Sequence, residues 1–331
     1  LQHRGQEAVG IASWDGSEIR DHKGKGHVND VVTRDVLDCL SGNAAIGQVL
    51  YSTSEIKPED KLNQPMQVRA QPFVRKFDFG WLAITHNGNL TNSRTLYRKL
   101  LADGKSFQTD GIDTEVALQL VGAARGNDIV ERLKQALPQL EGAYSFILLA
   151  EGKLIGVRDP LGIRPLSIGN VGNVCAMASE TCALYSVGAK NITDIEPGTI
   201  IVIHEDGRFE RHFFSQRMSP KPCIFEYIYI ARPDSSIEGK NVYLIRQDIG
   251  AQAAREAPVD ADMVIPIPDS GIPHAMGYAR QLGIPFEFGL VRNHYIFRTF
   301  IEPPNRNRKK LVMLKSSPNP ALVHGKRIVL C

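Results

Sequence analysis

Two short stretches of the 331-residue chain set reactive or ligand-binding side chains close together. In His86-Asn87-Gly88-Asn89-Leu90 a carboxamide donor stands beside a residue without a side chain. Attack on a carboxamide builds negative charge on the former carbonyl oxygen, and fixed donors aimed at that oxygen usually contribute the largest single stabilisation. The Asn87 side-chain amide and the Gly88 backbone N–H are two such donors, with glycine letting the backbone turn toward a ligand. In Pro268-Asp269-Ser270-Gly271 a carboxylate and a hydroxyl share one tight turn. Each stretch also has a plain structural reading. Asn-Gly is the commonest hairpin turn, and Pro-Asp-Ser-Gly by itself is more often only a loop.

The two stretches fall in segments of different periodicity. Residues 1–205 alternate short apolar segments with Gly, Asn and Asp turns, which predicts strands over 8–14, 44–49, 82–85, 144–150, 153–157, 174–178 and 199–204. Helical spacing of apolar residues predicts helices over 92–101, 113–125 and 128–137. Strands and helices in separate groups point to α+β layers, not a βαβ chain. Residues 206–222 turn polar, with Asp206-Gly207 and Ser219-Pro220-Lys221-Pro222, and read as a linker. Residues 223–235 open with an aromatic run at strand-like alternation and close on Arg232-Pro233-Asp234-Ser235, so they read as a buried connector. From there to residue 331 the pattern becomes α/β, with helices over 240–256 and 272–282 and strands over 262–268, 285–291 and 326–330. That is the opening of a parallel sheet, in which a ligand sits beyond the C-terminal strand ends, where residues 268–271 fall.

Composition sets outer bounds. An apolar content of 43% and a charged content of 23% describe an ordinary globular protein of two domains. A net charge of +3 gives no reason to expect nucleic acid or a membrane surface as partner, and the basic run Arg306 to Lys310 reads as a solvated loop face. No apolar run approaches a bilayer span. Five scattered cysteines, Cys39, Cys175, Cys182, Cys223 and Cys331, suit a reducing compartment, and the expected location is the cytoplasm.

Residues 223–235 (Cys-Ile-Phe-Glu-Tyr-Ile-Tyr-Ile-Ala-Arg-Pro-Asp-Ser) closely resemble the joint of the amidophosphoribosyltransferase family. Leu1 to Glu7, His86 to Leu90, Asp113-Thr114-Glu115, Gly162-Ile163-Arg164-Pro165-Leu166 and Ala178-Ser179-Glu180-Thr181 are similar, in the same order, to the family's glutamine amidotransferase domain of the N-terminal nucleophile class. Pro268 to Gly271, Gly277-Tyr278-Ala279 and Gly283 to Phe286 resemble its phosphoribosyltransferase domain. The resemblance implies αββα glutaminase layers over 1–205 and a phosphoribosyltransferase-type parallel sheet over 223–331. It implies transfer of the amide nitrogen of glutamine to phosphoribosyl pyrophosphate, giving 5-phosphoribosylamine, glutamate and diphosphate in purine synthesis. By the same resemblance, Asn87 and Gly88 form the oxyanion hole, and Thr53, His86 and Asp113 bind glutamine, Asp113 through the α-ammonium. Asp269, Ser270, Gly271, Arg292 and His294 bind phosphoribosyl pyrophosphate, with Ser270 contributing to a Mg²⁺ site. Cys223 matches a [4Fe-4S] ligand of one subclass, although a cluster wants four thiolates and one candidate is present. Purine nucleotides are implied as feedback inhibitors, and the chain as a homo-oligomer.

Several positions depart from the family pattern. Gly47-Gln48-Val49-Leu50-Tyr51 stands where the family reads Gly-His or a close variant, with an Arg at the place of Leu50 that clamps the substrate carboxylate. Losing a bidentate, charge-assisted contact costs about 1.5–3 kcal/mol, on the order of ten- to a hundredfold in affinity. Arg292 stands where Lys is common, His294 where Arg is common and Phe297 where Gly is common. Histidine makes phosphate affinity depend on pH, and Phe297 replaces a hinge candidate in a closing lid. The nucleophilic cysteine of the family precedes the stretch matching Leu1 to Glu7, and its paired-Asp loop ending in Gly-Thr-Thr follows the strand ending at Leu330. The sequence therefore reads as a fragment, inactive by itself. Two other readings remain: a different glutamine amidotransferase, which would share only the first half, and a non-catalytic relative that binds a nucleotide or a partner.

Overall fold

The computed structural model describes residues 1–51, 69–216, 219–293 and 312–331. The chain divides into two compact units, Leu1–Cys223 and Ile224–Cys331.

The first unit is built on strands β1 (Ala8–Trp14), β2 (Ile19–Lys25), β3 (Ala44–Leu50), β4 (Phe73–Phe77), β5 (Gly80–Leu90), β6 (Gly142–Ala150), β7 (Lys153–Arg158), β8 (Ser167–Val171), β9 (Val174–Ala178), β10 (Lys190–Asp194), β11 (Thr199–Ile203) and β12 (Phe209–Phe213). A six-stranded antiparallel sheet runs β12-β11-β7-β6-β5-β4, and two three-stranded sheets run β2-β1-β3 and β10-β8-β9. Strand residues alternate between faces, so β6 sends Tyr144, Phe146, Leu148 and Ala150 into one core and Ile147 and Leu149 into others. The first core is closed by helices Ser93–Ala102, Asp113–Ala123 and Ile129–Ala136. On the opposite face the sheet packs against Ala12, Ile19 and Ile46 of one small sheet and against Ile168, Cys175 and Met177 of the other. Helix Thr181–Ser186 covers the far side of the second small sheet through Leu184 and Ala183. These are αββα layers, as the resemblance implies. Strand β12 falls inside the stretch expected to be a linker. It pairs with β11 from Thr199↔Phe213 to Ile203↔Phe209, so the unit's sheet continues beyond residue 205.

In the second unit, Met263–Ile265 pairs in parallel with Ile328–Leu330, and Val264 makes a parallel bridge to Phe286 on its other side. Helices Val242–Glu256 and Ile272–Leu282 pack so closely that a Cβ on Gly250 would lie 1.9 Å from the His274 carbonyl oxygen, and one on Gly277 1.9 Å from that of Gln247.

Residues 285–291 do not form one strand. After the bridge at Phe286 the chain leaves the parallel sheet, and Leu290–Arg292 pairs antiparallel with Ser316–Pro318, a partner that local periodicity does not reveal. The connector is helical, not extended, with a single π-type turn over Glu226–Ile230. Adjacent residues Glu226 and Tyr227 are both buried while Ile224, Phe225, Ile228 and Tyr229 are exposed, which two-fold alternation cannot produce. Buried Arg246 holds the turn, donating from Nε to the Tyr227 carbonyl at 2.5 Å and from Nη2 to that of Ala231 at 2.9 Å. No helix among the described residues is long and apolar enough to cross a membrane.

Candidate active site

The His86-Asn87-Gly88 stretch lies within β5, not in a hairpin turn, with Asn87 opposite Ser145 and Gly88 opposite Tyr144 on β6. A Cβ on Gly88 would stand 2.0 Å from the Ala143 carbonyl oxygen, and its φ of +156° is one that L side chains rarely adopt. Glycine is required there, and it leaves room directly beside Asn87. Neighbouring side chains on the strand diverge. His86 lies on the helix side, its ring 4.8 Å from that of Phe146. Asn87 takes the other face, and its Nδ2 is buried with no hydrogen-bond partner among the described residues. Leaving such a donor unpaired costs about 1–3 kcal/mol, so the site stores a demand for an acceptor.

Asp113 opens helix Asp113–Ala123, whose N-cap position is Ile112, so aspartate here is the first helical residue and not the cap. Its Oδ2 accepts from the Leu90 N–H at 3.2 Å and lies 3.4 Å from His86 Nδ1, and its Oδ1 accepts from the Thr114 N–H at 2.8 Å. Burial pushes the carboxyl pKa up, but the His86 imidazole and the two backbone N–H groups outweigh it and hold Asp113 below the ordinary aspartate value. Behind this pair, Gln71 accepts from the His86 N–H at 2.6 Å and donates to Thr114 Oγ1 at 2.8 Å. Neighbouring Glu115 is buried and takes the N–H groups of Gln108 and Thr109, fixing the loop ahead of the helix.

The motifs at the two ends of the unit meet. The buried Glu180 carboxylate receives His3 Nε2 at 2.7 Å and Arg4 Nη1 at 2.6 Å, and Cys182 Sγ donates to its other oxygen at 3.5 Å. Burial raises the Glu180 pKa, but His3 and Arg4 outweigh it and drive it far below the usual carboxylate range. In the Gly162–Leu166 segment the Arg164 carbonyl accepts from Ser145 Oγ at 3.1 Å, tying that loop to the residue opposite Asn87. Leu50 ends β3 opposite Ala8. Two strand positions before it stands Gln48, which sequence reasoning passed over except as a departure. Its Nε2 donates to the His86 carbonyl at 3.4 Å, and its Oε1 is buried without a partner among the described residues. Thr53 lies outside the described residues.

In the second unit, residues 268–271 connect strand Met263–Ile265 to helix Ile272–Leu282 at the strand's C-terminal end. A Cβ on Gly271 would lie 2.4 Å from the Cys331 carbonyl oxygen, so the turn packs tightly on the chain's last residue. Arg292 Nη1 pairs with Asp269 Oδ2, and His274 Nδ1 lies 3.1 Å from the Ser270 carbonyl oxygen. One exposed carboxylate and one hydroxyl in an open turn fit a hydrated Mg²⁺ completed by water and phosphate oxygens, not a protein cage. Cys223 supplies one of the four thiolates that a four-iron cluster takes. Among the described residues the one group of potential metal ligands is His3, Glu180 and Cys182, which contains no Cys223 and has Arg4 in contact with its carboxylate. His294 and Phe297 lie outside the described residues.

The first unit's layers and its buried amide donor define a glutamine amidotransferase-type domain, and the glutamine amidotransferase domain family matches residues 61–186. An amidophosphoribosyltransferase of Rhizobium etli is 44% identical over all of this chain and 66% of its own length, and one of Methanocaldococcus jannaschii is 43% identical over all of this chain and 72% of its own. The solved Bacillus subtilis glutamine phosphoribosylpyrophosphate amidotransferase, complexed with ADP and GMP, superposes with a TM-score of 0.88 at 40% identity, covering 100% of this chain and 70% of that one. The chain belongs to the amidophosphoribosyltransferase family. It spans about two thirds of the length of these relatives.

Proposed function

We propose that this chain forms the glutaminase unit and the opening of the phosphoribosyltransferase unit of an enzyme that makes 5-phosphoribosylamine from glutamine, water and phosphoribosyl pyrophosphate, releasing glutamate and diphosphate as purine synthesis begins. The observation that carries the reading is the buried, unpartnered Asn87 Nδ2 beside Gly88, in a chain 44% identical to a named amidophosphoribosyltransferase.

The attacking thiol is the one the family carries ahead of the segment matching Leu1 to Glu7, and the residues here supply its surroundings. Glutamine's α-ammonium meets the ionised Asp113 carboxylate, which His86 orients from behind. Attack on the side-chain carbonyl carbon shifts an electron pair onto oxygen, and Asn87 Nδ2 with the Gly88 N–H receives that oxyanion. Ammonia leaves and a thioester remains for water to hydrolyse. At the second site, Arg292 and the turn Asp269-Ser270-Gly271 hold the diphosphate of phosphoribosyl pyrophosphate, and Ser270 would contribute to holding Mg²⁺. Bound there, the ion would neutralise charge on the departing diphosphate. Ammonia then adds at C1 of the sugar as diphosphate departs. A [4Fe-4S] ligand role for Cys223, feedback by purine nucleotides, assembly into a homo-oligomer and a cytoplasmic location belong to the same reading. It is tested by incubating the full-length protein with glutamine, phosphoribosyl pyrophosphate and Mg²⁺. Equal amounts of glutamate and diphosphate are expected, and diphosphate release that ignores both glutamine and ammonia would overturn it.

A further inference from the structure

Two buried polar atoms of opposite hydrogen-bonding sense flank His86, and neither has a partner among the described residues: the donor Asn87 Nδ2 and the acceptor Gln48 Oε1. The orientation of the Gln48 amide follows from its contact. Nε2 faces the His86 carbonyl oxygen at 3.4 Å, and the flipped amide would set two acceptors against each other. Gln48 therefore reaches from β3 across to β5, where its nitrogen is held and its oxygen is left unpaired. Buried groups without partners are rare in folded proteins, and two of complementary sense around one residue call for a ligand that answers both. A primary carboxamide does so, because its oxygen accepts and its NH₂ donates.

We propose that Gln48 determines specificity at this site, its Oε1 accepting a hydrogen bond from the NH₂ of the substrate carboxamide while Asn87 Nδ2 serves the carbonyl oxygen. The assignment rests on the reading of the site given above and adds to it the discrimination of glutamine from glutamate. A carboxylate brings only acceptors, so glutamate would set an oxygen against Gln48 Oε1 and leave both unpaired. A site built to bond a substrate N–H rejects the analogue lacking it far more strongly than an apolar pocket rejects a change of shape. The contact to NH₂ is present in the bound substrate before attack, so its loss acts on KM more than on kcat.

The test uses the full-length protein with Gln48→Leu, which removes the acceptor at similar volume, and Gln48→His, whose ring can bond the His86 carbonyl through one nitrogen and keep an acceptor on the other. Glutamine KM, glutaminase kcat and inhibition by glutamate are measured for each, with Tm as a check on folding. The expected result is a ten- to hundredfold rise in glutamine KM for Gln48→Leu with kcat within a few fold, and glutamate inhibition that weakens by far less, so that discrimination between the two ligands collapses. Gln48→His should recover most of it. If the parent enzyme consumes glutamine and both variants leave KM and glutamate inhibition as they were, the Gln48 assignment is wrong while the oxyanion reading stands. If Gln48→Leu lowers Tm and kcat together and Gln48→His restores neither KM nor discrimination, Gln48 is a packing residue and the proposal is overturned. A parent that consumes no glutamine under any condition instead overturns the reading of the site.

Discussion

His86 Nδ1 stands 3.4 Å from Asp113 Oδ2, and this contact joins the strand that carries Asn87 to the first turn of the helix that begins at Asp113. The pair sets the charge of the carboxylate. Burial favours the neutral acid, whereas His86 and the N–H groups of Leu90 and Thr114 favour the anion and prevail. A folded pKa below the unfolded one means that the stabilisation is fully present above the ordinary aspartate value and is lost as pH falls through the lowered one. Asp113→Asn should therefore be less stable than the parent at neutral pH, with the difference narrowing as acid protonates Asp113. Urea unfolding across that range measures it, and a pH-independent difference would count against the pairing.

Asp113→Asn should also raise glutamine KM. Replacing an ionic contact to the α-ammonium by a neutral one forfeits about 1.5–3 kcal/mol, on the order of ten- to a hundredfold. Steady-state kinetics with glutamine as the varied substrate check this, and an unchanged KM would move the ammonium site elsewhere.

Leu50 is the departure most open to repair. It ends β3 opposite Ala8 and is only half-buried, so a longer side chain has somewhere to go. Leu50→Arg would restore a guanidinium able to take a carboxylate bidentately. A fall of about tenfold or more in glutamine KM is the expected outcome. No change would mean that the pocket already holds the α-carboxylate by other groups.

Glu180 anchors the segment that leads away from Leu1. Its side chain is fully buried against His3 and Arg4, and removing one partner of a buried charge pair typically costs about 3–5 kcal/mol. Glu180→Ala should lose stability on that scale in denaturant unfolding, with glutaminase activity falling in parallel. A variant as stable as the parent would show the cluster to be dispensable.

Much of this was legible in residue patterns, for identifiable reasons. β6 is a nine-residue run dominated by apolar and aromatic residues, β9 is bounded by the turn residues Gly172-Asn173 and Ser179, and the helix from Asp113 begins on a charged first turn. The connector misled because Ile, Tyr and Phe at every second position imitate a strand. A buried arginine nineteen positions on, Arg246, decides for a helical turn instead. Glu180 and His3 lie 177 residues apart, and no local pattern reports such a pairing. Gln48 escaped notice because a glutamine on a half-buried strand is ordinary until its amide oxygen is found buried and unbonded.

The oxyanion role of Asn87 is the centre of the account, and Asn87→Ala in the full-length protein tests it most directly. The measurement is the ratio of glutamine-driven to ammonia-driven phosphoribosylamine formation, which cancels any effect shared with the second site. Removing one oxyanion donor should lower that ratio by about 10²–10³, through kcat and not KM. A ratio equal to that of the parent would contradict the account and leave the buried Nδ2 of Asn87 without a function.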